Sequence, residues 1–188
     1  MSFVRPTLNV SVIMRREPIV GAMSRWQSHR WVLEDVVLDG EAFIDAVEKN
    51  ALQISKNDST ERWKHAGYKA ELFTDDAEGY YLNVTTDAPC WFVLWRMEEE
   101  ASITDEPIAK PEMVSLSYHD AGRWLDAQET VEQVPLPPEV VAWLQTFVDE
   151  HHVVETKKRK RPESFKRLED RFGNPASITT EKNQRRQP

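Results

Sequence analysis

Glycine is scarce in this chain of 188 residues, and its six glycines are all isolated from one another. Phosphate-cradling loops and dinucleotide-binding turns need closely spaced glycines, so both classes of nucleotide site are excluded. Cysteine occurs once, at Cys90, which excludes an intrachain disulfide. No neighbouring residue is arranged to activate this thiol, so we expect Cys90 to serve in packing rather than as a nucleophile.

Long apolar runs and signal-peptide patterns are also lacking, so we expect no membrane span and a reducing cytoplasm as the location. Positive charge is scarce in most of the chain. Residues 155–188 hold 11 Lys/Arg and 5 Asp/Glu, a balance of +6, whereas residues 1–154 carry −14. An acidic body repels phosphate backbones and anionic lipid, which makes nucleic acid an unlikely partner.

The chain is rich in strand-like alternation. In residues 8–14, Val10, Val12 and Met14 fall on one side of an extended segment, which predicts a first strand. Residues 25–38 are aromatic and β-branched, but their apolar parity changes near Glu34 and Asp35. This change predicts one long bent strand, or two short ones, with a bulge at that point.

Three further strand candidates follow at short spacing, which is typical of an antiparallel meander. They are residues 68–74, 79–86 and 90–97, with the carboxylates of residues 75–78 in a hairpin turn. The third is apolar on both faces, as expected for a central strand. Residues 113–118 predict another strand, with Val114, Leu116 and Tyr118 on one face.

Helical spacing appears in three places. Residues 40–50 predict a short amphipathic helix that ends before a polar loop at residues 55–61, and residues 120–127 predict one that buries Trp124 and Leu125. The strongest helix prediction covers residues 134–152, where prolines suit the first turn. Its apolar stripe consists of Val140, Leu144, Phe147, Val148 and His151, widened by Trp143.

Together these patterns predict an α+β fold: an antiparallel curved sheet, or partly open barrel, of about six strands, packed by a C-terminal amphipathic helix and short helices. We expect residues 1–154 to form a single globular domain. Residues 155–188 lack core-forming density and are expected to form a basic, flexible C-terminal extension.

Catalytic and metal-binding patterns are weak. Asp149 and His152 are three residues apart on the predicted helix and could share one metal, but the adjacent histidines point about 100° apart, so a solvated helix end is favoured. The acidic runs resemble turns and loops rather than a paired acid and base in a cleft. We therefore predict no catalytic residue, no metal site and no cofactor.

Arginine and tryptophan interleave along the predicted strands. Stacked guanidinium and indole groups could build a ligand groove from Arg25, Trp26, Trp95 and Arg96, since such pairs attract each other. Strand alternation alone also produces this pattern, with tryptophans in the core and arginines on the opposite face, and this interpretation is favoured.

The C-terminal extension combines a positive block with spaced apolar residues. Phe165, Leu168 and Phe172 would share one face of a two-turn helix flanked by arginine and lysine. Such a segment could fold on docking into an apolar groove with an acidic rim. A solvated end, a chance match to an import signal and folding back on the acidic body remain open. The predicted partner-binding residues are Lys157, Lys158, Arg159, Lys160, Arg161, Phe165, Leu168, Arg171 and Phe172.

Five ordered blocks carry a family resemblance: VSVIMRREP, RWQSHRW, EGYYLNVTTDAPCWFVLWRM, VSLSYHDAGRWLDA and VPLPPEVVAWLQTFVDEHH. They resemble a bacterial domain family of unknown function whose genes commonly lie in molybdenum-dependent formate dehydrogenase clusters. The resemblance covers most of residues 10–152 and implies help with assembly, cofactor insertion or regulation of a cytoplasmic formate dehydrogenase. It supplies no catalytic residues.

Two hypotheses lead. The first is a non-enzymatic accessory or adaptor protein that docks a protein partner, such as formate dehydrogenase subunits or a maturation factor, through its basic tail. The second is a small-ligand carrier that presents a molybdenum cofactor or precursor in the arginine and tryptophan groove. A nucleic-acid-binding regulator ranks below both.

Overall fold

The computed structural model describes residues 5–40 and 49–153. By its internal contacts the chain divides into two units, Met1–Val153 and Val154–Pro188, and only the first contains described residues. The predicted helix at residues 40–50 lies almost wholly outside the described residues, as does the whole basic tail. The division into a domain at 1–154 and a flexible extension stays a prediction.

The first sheet has four antiparallel strands in the order β2-β1-β4-β3. Val10, Val12 and Met14 are fully buried along β1, which confirms the predicted alternation. The predicted bulge is also confirmed, because the β1–β2 register passes from Asp35 to Leu33 and leaves Glu34 without a partner. The strands are β1 Thr7–Pro18, β2 His29–Leu38, β3 Asn50–Lys56 and β4 Glu61–Glu71.

The second sheet has three antiparallel strands in the order β6-β5-β7. Its middle strand is apolar on both faces and has Trp91 and Val93 fully buried, which confirms the predicted central position. The strands are β5 Cys90–Met97, β6 Ala109–Ser115 and β7 Thr130–Pro135.

Three α-helices, α1 Ala77–Val84, α2 Tyr118–Asp126 and α3 Pro138–His151, complete the described residues, with short 3-10 turns at Ala22–Arg25 and Thr74–Asp76. The α3 prediction is confirmed, since Val140, Leu144, Phe147 and Val148 are buried.

One apolar core joins both sheets to the helices. Tyr80 of α1 meets Phe147 of α3 edge to face, with ring centroids 5.8 Å apart, and both rings belong to the same cluster as the strand residues of the two sheets. The α+β class with antiparallel sheets and packing helices is thus confirmed. The described strands form two sheets and close no barrel.

The strand predicted at residues 79–86 is wrong, because these residues form most of α1 and the end of that helix. Its aromatic and β-branched side chains favour a strand locally. Tertiary contacts override that preference: Tyr80, Asn83 and Val84 lie at helical spacing and all three are buried. The hairpin turn predicted at residues 75–78 is likewise replaced by the 3-10 turn and the start of α1.

Other corrections concern element limits. Leu125 is exposed and Trp124 only half-buried, so α2 buries Ala121 instead of the predicted pair. Tyr118 begins α2 rather than ending a strand, because Ser117 caps the helix there. The structure adds β3 and β7, which were not predicted, and the expected polar loop at residues 55–61 includes the ends of β3 and β4.

Candidate protein-interaction site

The connection between β1 and β2, residues 19–28, is a hairpin loop with a defined shape. The Ile19 N–H donates to the Ser28 carbonyl at 2.9 Å and closes the loop at its base. At the tip, the Ser24 hydroxyl donates to the Gly21 carbonyl at 2.7 Å and the Trp26 N–H to the Met23 carbonyl at 3.0 Å. Gly21 has a φ of 106°, a backbone conformation that residues other than glycine rarely adopt.

This loop presents large apolar side chains to solvent. Val20 is 92% exposed, Trp26 88% and Met23 65%. Single exposed apolar residues are ordinary, but three on one short loop form a patch of the kind that marks an interaction surface. We call residues 19–28 the apolar loop. Because the Trp26 indole is not packed in the core of its own protein, it is available to bind in a pocket of another molecule.

Charge at the apolar loop is positive at the tip, and at the base one carboxylate pairs with two arginines. Arg25 is exposed and forms no ion pair with any other described residue. At the base, Glu17 accepts from Arg15 at 2.9 Å and pairs with Arg30 at 2.6 Å. The hydrogen bond from Arg30, with that from Arg15, lowers the pKa of the Glu17 carboxyl. These ion pairs tie together the ends of β1 and β2, next to the loop that carries Arg25.

The four residues predicted to line a ligand groove are not brought together. Trp95 is only 9% exposed and belongs to the core cluster, whereas Trp26 projects into solvent. Arg96 lies on the opposite face of β5 from Trp95 and pairs with Glu129 of the connection that precedes β7. Arg25 stands beside Trp26 on the apolar loop. The favoured alternative, with tryptophans in the core and arginines on the opposite strand face, is confirmed for Trp95 and Arg96. It is wrong for Trp26, which lies in a loop and is exposed.

The other residues considered for catalysis or metal binding, Cys90, His151 and His152, make contacts within the fold. Burial raises the pKa of the Cys90 thiol, so it is poorly suited to act as a thiolate. His152 stacks on Tyr81 with ring centroids 4.1 Å apart, and His151 packs against Phe147. Among the described residues no group of three His, Cys, Asp or Glu side chains could hold a metal ion.

The sequence patterns did not single out Val20 and Met23 of the apolar loop. Val20 and Met23 do not recur at helical or strand spacing, because they lie in a hairpin loop and not in a regular element. The signal that could have found them is the placement of large apolar residues beside Gly21 in a segment between two strands, where polar residues are usual. The predicted partner-binding residues of the tail, from Lys157 to Phe172, lie outside the described residues.

Within the described residues, two antiparallel sheets, three α-helices and a projecting apolar loop define an α+β protein. None of the helices in the described ranges is long and apolar enough to cross a membrane. A model of a family described as a protein of unknown function, DUF3305, matches residues 9–161. The chain belongs to this family, and the match includes the apolar loop. No curated protein and no solved structure matches the chain.

Proposed function

We propose that this protein is a non-enzymatic accessory or adaptor protein that binds a protein partner through its apolar loop. The exposure of Val20, Met23 and Trp26 is the observation that carries this proposal. Interface hot spots are enriched in Trp and Arg, and both types stand side by side at the tip of the loop. The hydrogen bonds within the loop preorganise it, which reduces the entropy lost on binding.

The partner surface has an apolar pocket with an acidic rim. Arg25 supplies a positive charge beside the apolar side chains of the loop. The basic tail has the same combination in sequence, with Phe165, Leu168 and Phe172 beside the block Lys157–Arg161. Two segments of the same chemistry favour one acidic partner, and binding at both would raise the overall affinity. The −14 charge of residues 1–154 disfavours anionic lipid and nucleic acid as alternatives.

The resemblance of the five sequence blocks supports a specific partner. We propose a cytoplasmic molybdenum-dependent formate dehydrogenase, bound at one of its subunits or at a maturation factor, with a role in assembly, cofactor insertion or regulation. A role in binding requires no catalytic group. This agrees with the core position of Trp95 and with the pairing of Arg96 to Glu129, which leave neither residue available for chemistry.

Affinity purification from the native cell tests this proposal. The full chain is compared with a triple variant Val20→Ser, Met23→Ser, Trp26→Ser and with a chain truncated after Val154. The variant Ile103→Ser, which changes a 53%-exposed side chain in a different loop, is the matched control. We expect formate dehydrogenase subunits or a maturation factor with the full chain and the control, and strongly reduced recovery with the triple variant.

Each other outcome has a defined meaning. Equal recovery by the triple variant would remove the apolar loop from binding, and equal recovery by the truncated chain would remove the tail. Recovery of a different protein through the loop would refute formate dehydrogenase as the partner. If the full chain recovers no protein, the adaptor function is wrong.

A further inference from the structure

A cavity of about 160 Å³ lies where the β3–β4 hairpin meets the connection from β5 to β6. This volume admits a few water molecules or one ligand of a few heavy atoms. The cavity shares no residue with the apolar loop. Its polar lining comes from four separate segments of the chain and includes Lys49, His65, Glu98, Ser102 and Lys110.

The imidazole of His65 is the least satisfied group in this lining. The residue is 3% exposed, and its Nε2 atom has no hydrogen-bond partner among the described residues. Leaving a buried polar group unpaired costs about 1–3 kcal/mol, so such a group calls for a partner. Burial lowers the pKa of His65 to about 4, so the ring is neutral at pH 7 and offers one N–H donor and one acceptor nitrogen.

Among the residues that the structure describes, the two lysines of the cavity also keep free donors. Lys49 donates one hydrogen bond, to the Glu112 carbonyl at 3.3 Å, while its ammonium lies 4.6 Å from the centre of the Tyr68 ring. Lys110 is 4.0 Å from the nearest Glu112 carboxylate oxygen, at the outer limit of an ion pair. An ammonium has three donors, so each lysine can bind a further acceptor.

Glu98 is the one carboxylate that the described residues contribute to the lining, and both of its oxygens accept hydrogen bonds. Its Oε1 accepts from the Ser102 hydroxyl at 2.5 Å and its Oε2 from the Ile108 N–H at 3.2 Å. These bonds hold the carboxylate to its own loop. Two ammonium groups, one carboxylate and a neutral imidazole give the described part of the lining a net charge of +1.

We propose that this cavity binds a small oxyanion of single charge, such as a short-chain monocarboxylate, between Lys49 and Lys110, with the His65 imidazole donating a hydrogen bond. The excess of donors selects an anion, and the volume limits its size. Glu98 in the lining, and Glu112 at 4.0 Å from Lys110, disfavour more highly charged ligands. This site is independent of the proposed adaptor function, so either can fail without the other.

The test is an NMR titration of the full chain that follows the His65 ring and the Lys110 backbone amide. Sodium acetate is the probe for a monocarboxylate and inorganic phosphate the probe for a larger oxyanion, with sodium chloride at matched ionic strength as reference. We expect saturable shifts of both signals with acetate, weaker shifts with phosphate, and no saturation with chloride.

Two variants make the test specific. Lys110→Gln, which changes a half-exposed side chain, should weaken acetate binding about tenfold through loss of a charge-assisted hydrogen bond. Lys69→Gln, at an exposed position on the same strand as His65, should leave it unchanged. The absence of saturable shifts with both probes, or equal acetate affinity of Lys110→Gln and the full chain, would overturn the proposal and leave water as the partner of His65.

Discussion

The backbone of Gly79 lies directly against the hydroxyl of Ser117. A Cβ atom at Gly79 would overlap that oxygen and would stand 2.8 Å from Asp76 Oδ1 and 3.1 Å from His119 Nδ1. The same hydroxyl caps α2, because it accepts from the His119 N–H at 3.1 Å and the Asp120 N–H at 3.3 Å. The close approach of α1 to the beginning of α2 therefore depends on a glycine.

Gly79→Ala should destabilise the protein by about 1–3 kcal/mol, because the buried Ser117 cannot move without losing its capping bonds. Gly122→Ala is the matched control. A Cβ there meets nothing within 4 Å, so alanine should stabilise α2 by about 0.5–1 kcal/mol. Urea unfolding of both variants measures the difference. Equal stability of the two would contradict the close packing at Gly79.

Substitution of Asn83 should lower the free energy of unfolding more than substitution of most other polar residues. Its buried amide donates to the Cys90 and Leu116 carbonyls, both at 2.8 Å, and accepts from the Cys90 N–H at 3.0 Å. Asn83→Ala leaves these backbone groups unpaired and should cost about 2–4 kcal/mol in the free energy of unfolding. Asn57→Ala, which removes an exposed turn acceptor, should cost about 1 kcal/mol. Similar losses for both variants would refute this ranking.

His65 should make stability depend on pH in the acidic range. Burial lowers its folded pKa from 6.5 to about 4. Between these values the unfolded chain binds a proton that the folded chain does not, so stability falls as the pH drops, by up to about 3 kcal/mol. His65→Gln should flatten this part of the profile in unfolding measurements between pH 7 and pH 4. An unchanged slope in the variant would show that other groups cause the acid sensitivity.

Trp26→Ser should leave stability unchanged within about 0.5 kcal/mol, since the indole is 88% exposed and contributes almost nothing to the core. Trp91→Ser, at a fully buried tryptophan, should cost several times more or prevent folding. Thermal unfolding compares the two. A large loss of stability in Trp26→Ser would mean that the indole packs on its own protein and is not free for a partner.

Periodic burial explains which elements could be predicted from the sequence. In β1 and α3 the apolar residues recur at the spacing of the element, so Val12 and Leu144 were assigned to the core correctly. Strand β3 is the outer strand of its sheet and leaves its alternating Leu52 and Ile54 exposed, so burial in the core does not define it. Helix α1 depends on contacts distant in sequence, such as that of Asn83 with Leu116, which local propensity cannot reveal.

The sequence did not predict the apolar loop as a site. Trp26 was grouped with Trp95 by residue type, but the exposure of Trp26 depends on where the β1–β2 hairpin ends, and β5 turns Trp95 into the core. The cavity at His65 combines four separate segments of the chain, so no single sequence motif indicates it. The tail's role in docking stays a prediction.

Site-specific photo-cross-linking in the native cell tests the central claim most directly. A photoreactive phenylalanine analogue replaces Trp26 in one chain and Ile103 in another, and the cross-linked proteins are identified by mass spectrometry. The proposed function predicts a cross-link from position 26 to a formate dehydrogenase subunit or maturation factor and no such cross-link from position 103. No cross-link from position 26, or the same products from both positions, would contradict it.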